Sequence, residues 1–251
     1  MKKYFYEIKT LCEMHANLFF KMLFISVICV VLCWRFVLKR PVYQMLYGTP
    51  NSSVLQISDV DTFQELPEQK ILPIHVNGYD IEIQAIKSFQ TTARIVYVDR
   101  YNSFGTWYRS SESSRLYDKI VPQDISLATG QPAFHPECFT FDHEYRMLLT
   151  MYDGHCPAFV YANVDQNISN NHSIAASYNV QKGLDILKTG DIASIEGYAM
   201  YWNGTGKLAP VRFESAVTLG QVSKQLAGGQ KSSLCRQLLI TKLTFDGYTF
   251  E

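Results

Sequence analysis

A mainly β domain with minor helix, placed behind one membrane-spanning helix, is the fold class this sequence predicts. Three observations predict it. Leu18–Leu38, LFFKMLFISVICVVLCWRFVL, is apolar and long enough to cross a bilayer. Segment after segment beyond it alternates apolar and polar residues, the period of half-buried strands. The chain also carries 16 Tyr and 15 Phe, which favour sheet.

The spanning stretch rises about 31 Å at about 1.5 Å per residue, against a hydrocarbon core of about 30 Å. Its uninterrupted apolar part, Met22 to Trp34, is too short alone. It suffices when Lys21 and Arg35 snorkel their charges to the two interfaces. Trp34 and Phe36 suit the interfacial aromatic belt. A signal peptide needs a small-residue cleavage site. Here the run ends in Trp34, Arg35 and Lys39-Arg40-Pro41. The basic flanks are Lys21, Arg35, Lys39 and Arg40. Basic residues before and after the helix nearly balance. The long carboxy-terminal part can be exported regardless of charge, so the amino terminus is expected in the cytoplasm. The expected organisation is a cytoplasmic segment 1–17, a transmembrane helix 18–38, a linker 39–70 and an extracytoplasmic β-rich domain 71–251. That places the chain in the inner membrane, single-pass, with its domain in the periplasm.

Pro41 is expected to end the helix. Val42 to Lys70, with its Gly, Pro, Asn and Ser, reads as a tether with a short strand at Val54 to Ile57. Ile71–Val76 and Tyr79–Ile86 flank Asn77-Gly78, a hairpin signal, and Pro73 marks an edge strand. Thr92–Asp99 is a further strand. Arg100 to Ser114 reads as an aromatic loop; Asp99, Arg100 and Arg109 with Tyr101, Trp107 and Tyr108 read as solvated charges on packed rings, with a ligand surface as the minor reading. Asn163 to Ser173 reads as a polar loop. Val180 to Lys188 fits a short helix, and Thr189-Gly190-Asp191 a turn. Ile192–Trp202 is a strand with Ala193, Ile195, Gly197, Ala199 and Tyr201 on one face, the small-residue face of a barrel interior or a sharp bend. Pro210–Thr218 is expected to pair with it, and Leu234–Phe245 to close the domain.

Leu184-Asp185-Ile186-Leu187-Lys188-Thr189-Gly190-Asp191 followed by Ile192–Gly197 resembles the turn and curved strand of small Greek-key barrels of the OB type. Ala93-Arg94-Ile95-Val96, Arg100-Tyr101, Pro122 to Ala128, Ser169 to Ala176, Gly190-Asp191 and Glu196-Gly197-Tyr198 follow in that order. Together they resemble a family of membrane-anchored bacterial proteins with an OB-like β-barrel domain and no assigned activity. Thr129-Gly130-Gln131 departs from that family's Gly-Trp-Gly. The resemblance implies the fold over roughly residues 80 to 245 and implies no activity.

The formal net charge is +0, and no basic stripe marks a nucleic-acid binder. Of six cysteines, Cys138, Cys156 and Cys235 lie in the domain, and Cys138 with Cys156 is the expected disulfide. His135, Cys138, His143, His155 and Cys156 crowd together, but no C-x2-C accompanies them, so a zinc site is the minor reading. His143-Glu144-Tyr145-Arg146-Met147 lacks the second histidine of the zinc-protease pattern. G-x-S-x-G, S-x-x-K and phosphate-binding loops are absent from the sequence. Asn171-His172-Ser173 sets a histidine beside a serine, without an identifiable partner. The sequence therefore predicts no catalytic residue, no cofactor and no metal. The leading reading is a non-enzymatic membrane protein that binds protein partners in an envelope assembly, with a homo-oligomer compatible. The alternatives are an envelope metal-dependent hydrolase using His135, His143 and His155, and a ligand-sensing membrane protein.

Overall fold

The computed structural model describes residues 19–76, 79–100, 121, 123–142, 147–150, 156–158, 167–204, 211–214 and 235–251. The chain divides into two units, Met1–Leu46 and Tyr47–Glu251. Helix α1, Phe19–Tyr47, is the one described helix long and apolar enough to cross a membrane, and its apolar window is unburied. Such a helix is compatible with a membrane anchor or a signal sequence. The hydroxyl of Ser26 donates to the Met22 carbonyl at 2.9 Å, which keeps this polar group satisfied on an apolar helix. Pro41 does not end the helix, contrary to expectation. Trp34–Leu38 forms a π turn, with the Lys39 N–H donating to the Trp34 carbonyl. A wide turn just before the proline interrupts the i→i−4 ladder where proline cannot donate, and the helix continues to Tyr47.

The expected linker 39–70 is also corrected. Its first residues extend α1, and the segment beyond Gly48 is bound to the domain. Strand β1, Thr49–Pro50, pairs antiparallel with strand β11, Tyr248–Phe250, with Thr49 opposite Thr249 and Pro50 opposite Tyr248. The Asn51 N–H donates to the Gly247 carbonyl at 2.7 Å, and the Asn51 amide to the Thr249 hydroxyl at 2.8 Å. The Ser58 N–H donates to the Thr92 carbonyl, and the Ser58 carbonyl accepts from the Gly130 N–H. The Asn and Ser that suggest a tether instead fasten this segment to the domain by hydrogen bonds. Val54–Ile57 belongs to no strand.

The remaining strands are β2 (Thr62–Val76), β3 (Tyr79–Arg100), β4 (Gln123–Ala128), β5 (Phe139–Asp142), β6 (Met147–Thr150), β7 (Ile168–Ala175), β8 (Ile192–Gly204), β9 (Val211–Glu214) and β10 (Cys235–Phe245). Helix α2, Tyr178–Ile186, lies between β7 and β8. The Ser177 hydroxyl caps it by accepting from the Val180 N–H at 3.1 Å. β2 and β3 form the expected hairpin, with Val76 opposite Tyr79. Asn77-Gly78 themselves lie outside the described residues. β3 is one strand of 22 residues rather than two separate ones. It pairs with β2 and then β4 along one edge, and with β8 along the other.

β4 pairs with β7, β7 runs parallel to β10, and β10 pairs antiparallel with β8. β8 also pairs with β9, the expected return strand, from Tyr201↔Glu214 to Gly204↔Val211. The expected polar loop 163–173 is corrected, because its second half belongs to β7. β10 and β11 join through Asp246-Gly247, both at positive φ, as a type I′ turn requires.

Register and burial define two faces. Ile125, Leu127, Ala193, Ile195, Ala199, Leu238, Ile240, Leu243 and Phe245 are buried together on one. Leu184 and Leu187, in and just after α2, are fully buried, and Phe250 stacks on Phe245 with centroids 5.5 Å apart. The Arg100 guanidinium donates to the Leu184 and Leu187 carbonyls, placing a cation at the carboxy-terminal end of α2. Arg100 is therefore a structural residue rather than a solvated loop charge.

Candidate functional site

The other face of β3, β4, β7 and β10 is polar. Register sets Asp99 opposite Asp124, Asp124 opposite His172, and His172 opposite Gln237. The neighbouring row runs from Tyr97 to Ser126 to Asn170. Strand alternation explains the grouping, because side chains two residues apart share a face. The His172 Nδ1–H donates to Asp124 Oδ1, with the Asp124 side chain 1% and the His172 side chain 15% exposed. The Ser126 hydroxyl donates to Asn170 Oδ1 at 2.9 Å. Tyr97, Asp99 and His172 are half-buried; Ser126, Asn170 and Gln237 are buried. Ser173 falls on the opposite face, where its hydroxyl donates to the Asn171 carbonyl at 3.3 Å. His172 thus meets a carboxylate 48 residues away in sequence and not its neighbouring serine.

Burial pushes the Tyr97 hydroxyl above its ordinary pKa, and the charge of Asp99 adds to that. Above about pH 10 an unfolded tyrosine loses its proton while the folded one retains it. The native state then binds more protons, so stability falls as pH rises. The contribution is complete below the unfolded value and is lost as pH rises through the folded one. Lys242, raised by its 2.9 Å pair with Glu196, acts in the same direction. Urea midpoints measured across this alkaline range are expected to fall less steeply for Tyr97→Phe than for the parent. Parallel curves would refute the assignment.

Beyond β4 the same face turns apolar. Val96, Ala128 and Ala133 are buried there, with Ile57, Phe139 and Ile168 packed against them. The covering segment is braced by a disulfide between Cys138 and Cys156, with Cα atoms 5.7 Å apart. Cys138 is fully buried. Closing a loop of sequence separation 18 stabilises by about 3 kcal/mol in the chain-entropy treatment. Cys138→Ala with Cys156→Ala is expected to lose about that much, read as a lower urea midpoint. Unchanged midpoints under oxidising conditions would count against it.

With both sulfurs in the bridge, neither is a thiolate ligand. The His135 ring approaches Glu137 at 3.1 Å. The backbone N–H of Glu137 and then His135 hold that carboxyl below its usual range. His143 and His155 lie outside the described residues, as do Arg109, Tyr101, Trp107 and Tyr108. Among the described residues no group of three or more His, Cys, Asp or Glu is placed to hold a metal ion. The basic helix flanks, Lys21, Arg35, Lys39 and Arg40, all lie on α1. Sequence reasoning missed Asp124, Ser126 and Asn170. The alternation of Gln123–Ala128 is the available signal, whereas the matching strand around His172 reads as a loop in isolation.

Comparison with protein-family models, curated proteins and solved structures finds no match to this chain.

Proposed function

We propose that the chain is a single-pass inner-membrane protein whose periplasmic β domain binds protein partners, without catalysis, in an envelope assembly. The pairing order carries this reading. In chain order the five strands are β3, β4, β7, β8 and β10. Each pairs with two others of the five, from β3 through β4, β7, β10 and β8 back to β3. The third and fifth run parallel, and α2 lies between the third and fourth. We read this as a closed Greek-key barrel of the OB type. In such barrels the outer side of the second and third strands is a common binding face. Here that side carries the buried Asp124 and the half-buried His172, with Tyr97 and Asp99 beside them on the first strand. The step from fold to binding is an analogy between folds. Zero net charge favours a protein over a nucleic acid as partner. The Cys138–Cys156 bridge favours an oxidising compartment.

A reporter active only in the periplasm, fused after Glu251, is expected to be active. An inactive but well-expressed fusion would count against the topology. The full-length protein, purified in mild detergent, is then compared with Asp99→Lys of equal melting temperature. Selective loss of a co-purifying chain supports the binding face. An identical set of chains overturns it.

A further inference from the structure

We infer that Arg35 and Lys39, with Arg40 beside them, bind the phosphodiester of an anionic phospholipid at the carboxy-terminal side of the membrane span. The inference rests on the reading of α1 as a span, and it uses residues of the helix unit alone. Lys21 and Arg35 bound the apolar run and stand seven residues either side of Ile28. With Ile28 at the bilayer centre, Arg35 lies about 10 Å out along the helix, inside a hydrocarbon half-thickness of about 15 Å. Lys39 lies about 16 Å out, at the hydrocarbon edge. An arginine at that depth sends its guanidinium outward along its stem to the headgroup phosphates. It therefore arrives at the level of Lys39.

The two cations also share one side of the helix. They are four residues apart, Arg35 within the π turn Trp34–Leu38 and Lys39 just after it. Arg35 is exposed, and Lys39 and Arg40 are half-buried. Lys39 Nζ lies 5.2 Å from the Tyr43 ring centroid, which adds an interfacial aromatic to the same side. α1 carries no acidic residue from Phe19 to Tyr47. Three cations within six residues, without a carboxylate on the helix, complement an anion. A guanidinium takes a phosphate through two parallel N–H donors, and an ammonium takes it as a point charge. A zwitterionic lipid brings its own cation, which these residues repel. Phosphatidylglycerol brings none.

The test uses the full-length chain in vesicles of equal parts phosphatidylglycerol and phosphatidylcholine. Bromine atoms near the top of the acyl chains are carried by one lipid or by the other. Emission of Trp34, next to Arg35, is read in each background as the part that Trp34→Phe removes. Brominated phosphatidylglycerol is expected to quench it about twice as strongly as brominated phosphatidylcholine, because anionic headgroups gather at the cations. Arg35→Gln with Lys39→Gln and Arg40→Gln is expected to bring the two to equality. Lys21→Gln, at the other end of the span, is expected to leave the preference intact. Equal quenching in the parent, in a chain that floats with the vesicles, overturns the site but not the span. So does a preference that survives the triple variant, or one that Lys21→Gln abolishes. A preference lost to inorganic phosphate, but not to chloride at the same ionic strength, assigns the site to a free anion and overturns the lipid. A chain that does not float overturns the membrane reading, and the site with it.

Discussion

Gly197→Ala is expected to destabilise the β domain by about 4 kcal/mol, enough to remove it from the soluble fraction or leave it molten. A Cβ at Gly197 would press into the Leu239 carbonyl oxygen, 3.0 Å from its carbonyl carbon and 3.1 Å from Ile240 Cα. These are backbone atoms of β10, which cannot rotate away. Gly197 stands opposite Ile240 just before the register shift between Ile240 and Lys242, where β10 bends across β8. The glycine is thus needed for close approach of two strands, which fits the sharp bend, one of the two readings its small-residue face allows. Glu196→Leu is the matched control. Glu196 pairs with Lys242 at 2.9 Å, with side chains 41% and 38% exposed. Such an exposed pair contributes about 0–1 kcal/mol. Urea midpoints, or soluble yields where Gly197→Ala does not fold, compare the two. A Gly197→Ala protein as stable as the control would refute the close approach.

The faces of β8 are legible in the sequence because alternation is local. Ala193, Ile195 and Ala199 are buried as expected, with Ser194 and Glu196 half-exposed. Met200 departs from the pattern and is fully buried. A register shift on β3 between Ala85 and Lys87 sets Ala85 opposite Met200, so both faces are covered there. That shift depends on a partner strand more than a hundred residues away in sequence, which no local pattern records. β7 is hidden for a related reason. Ser169, Asn170 and Asn171 look like a loop until β4 supplies Ser126 and the Ile125 carbonyl as partners. Polar residues fit a buried strand when the neighbouring strand satisfies them. The Asp124–His172 pair is hidden with it.

Arg236→Met is expected to cost about 3–5 kcal/mol, because it would strand a buried carboxylate. Arg236 Nη1 pairs with Asp61 Oδ2, with side chains 14% and 5% exposed. The guanidinium also lies 5.0 Å from the Phe63 ring centroid, and that ring in turn packs on Phe89 with centroids 5.1 Å apart. Asp61 Oδ1 has no hydrogen-bond partner among the described residues, so the carboxylate leans on Arg236. Methionine keeps most of the apolar stem over Phe63 and removes the charge, which isolates the electrostatic part. Asp61→Asn alone should cost less, since the Arg236 side chain is the more exposed partner. The double variant should regain much of the loss, because replacing a whole buried pair is far cheaper than breaking it. The test is a double-mutant cycle on urea midpoints. Additive losses would mean that the pair contributes nothing as a pair. Coupling of a few kcal/mol would identify it as the clasp that fixes the segment entering β2 against the start of β10.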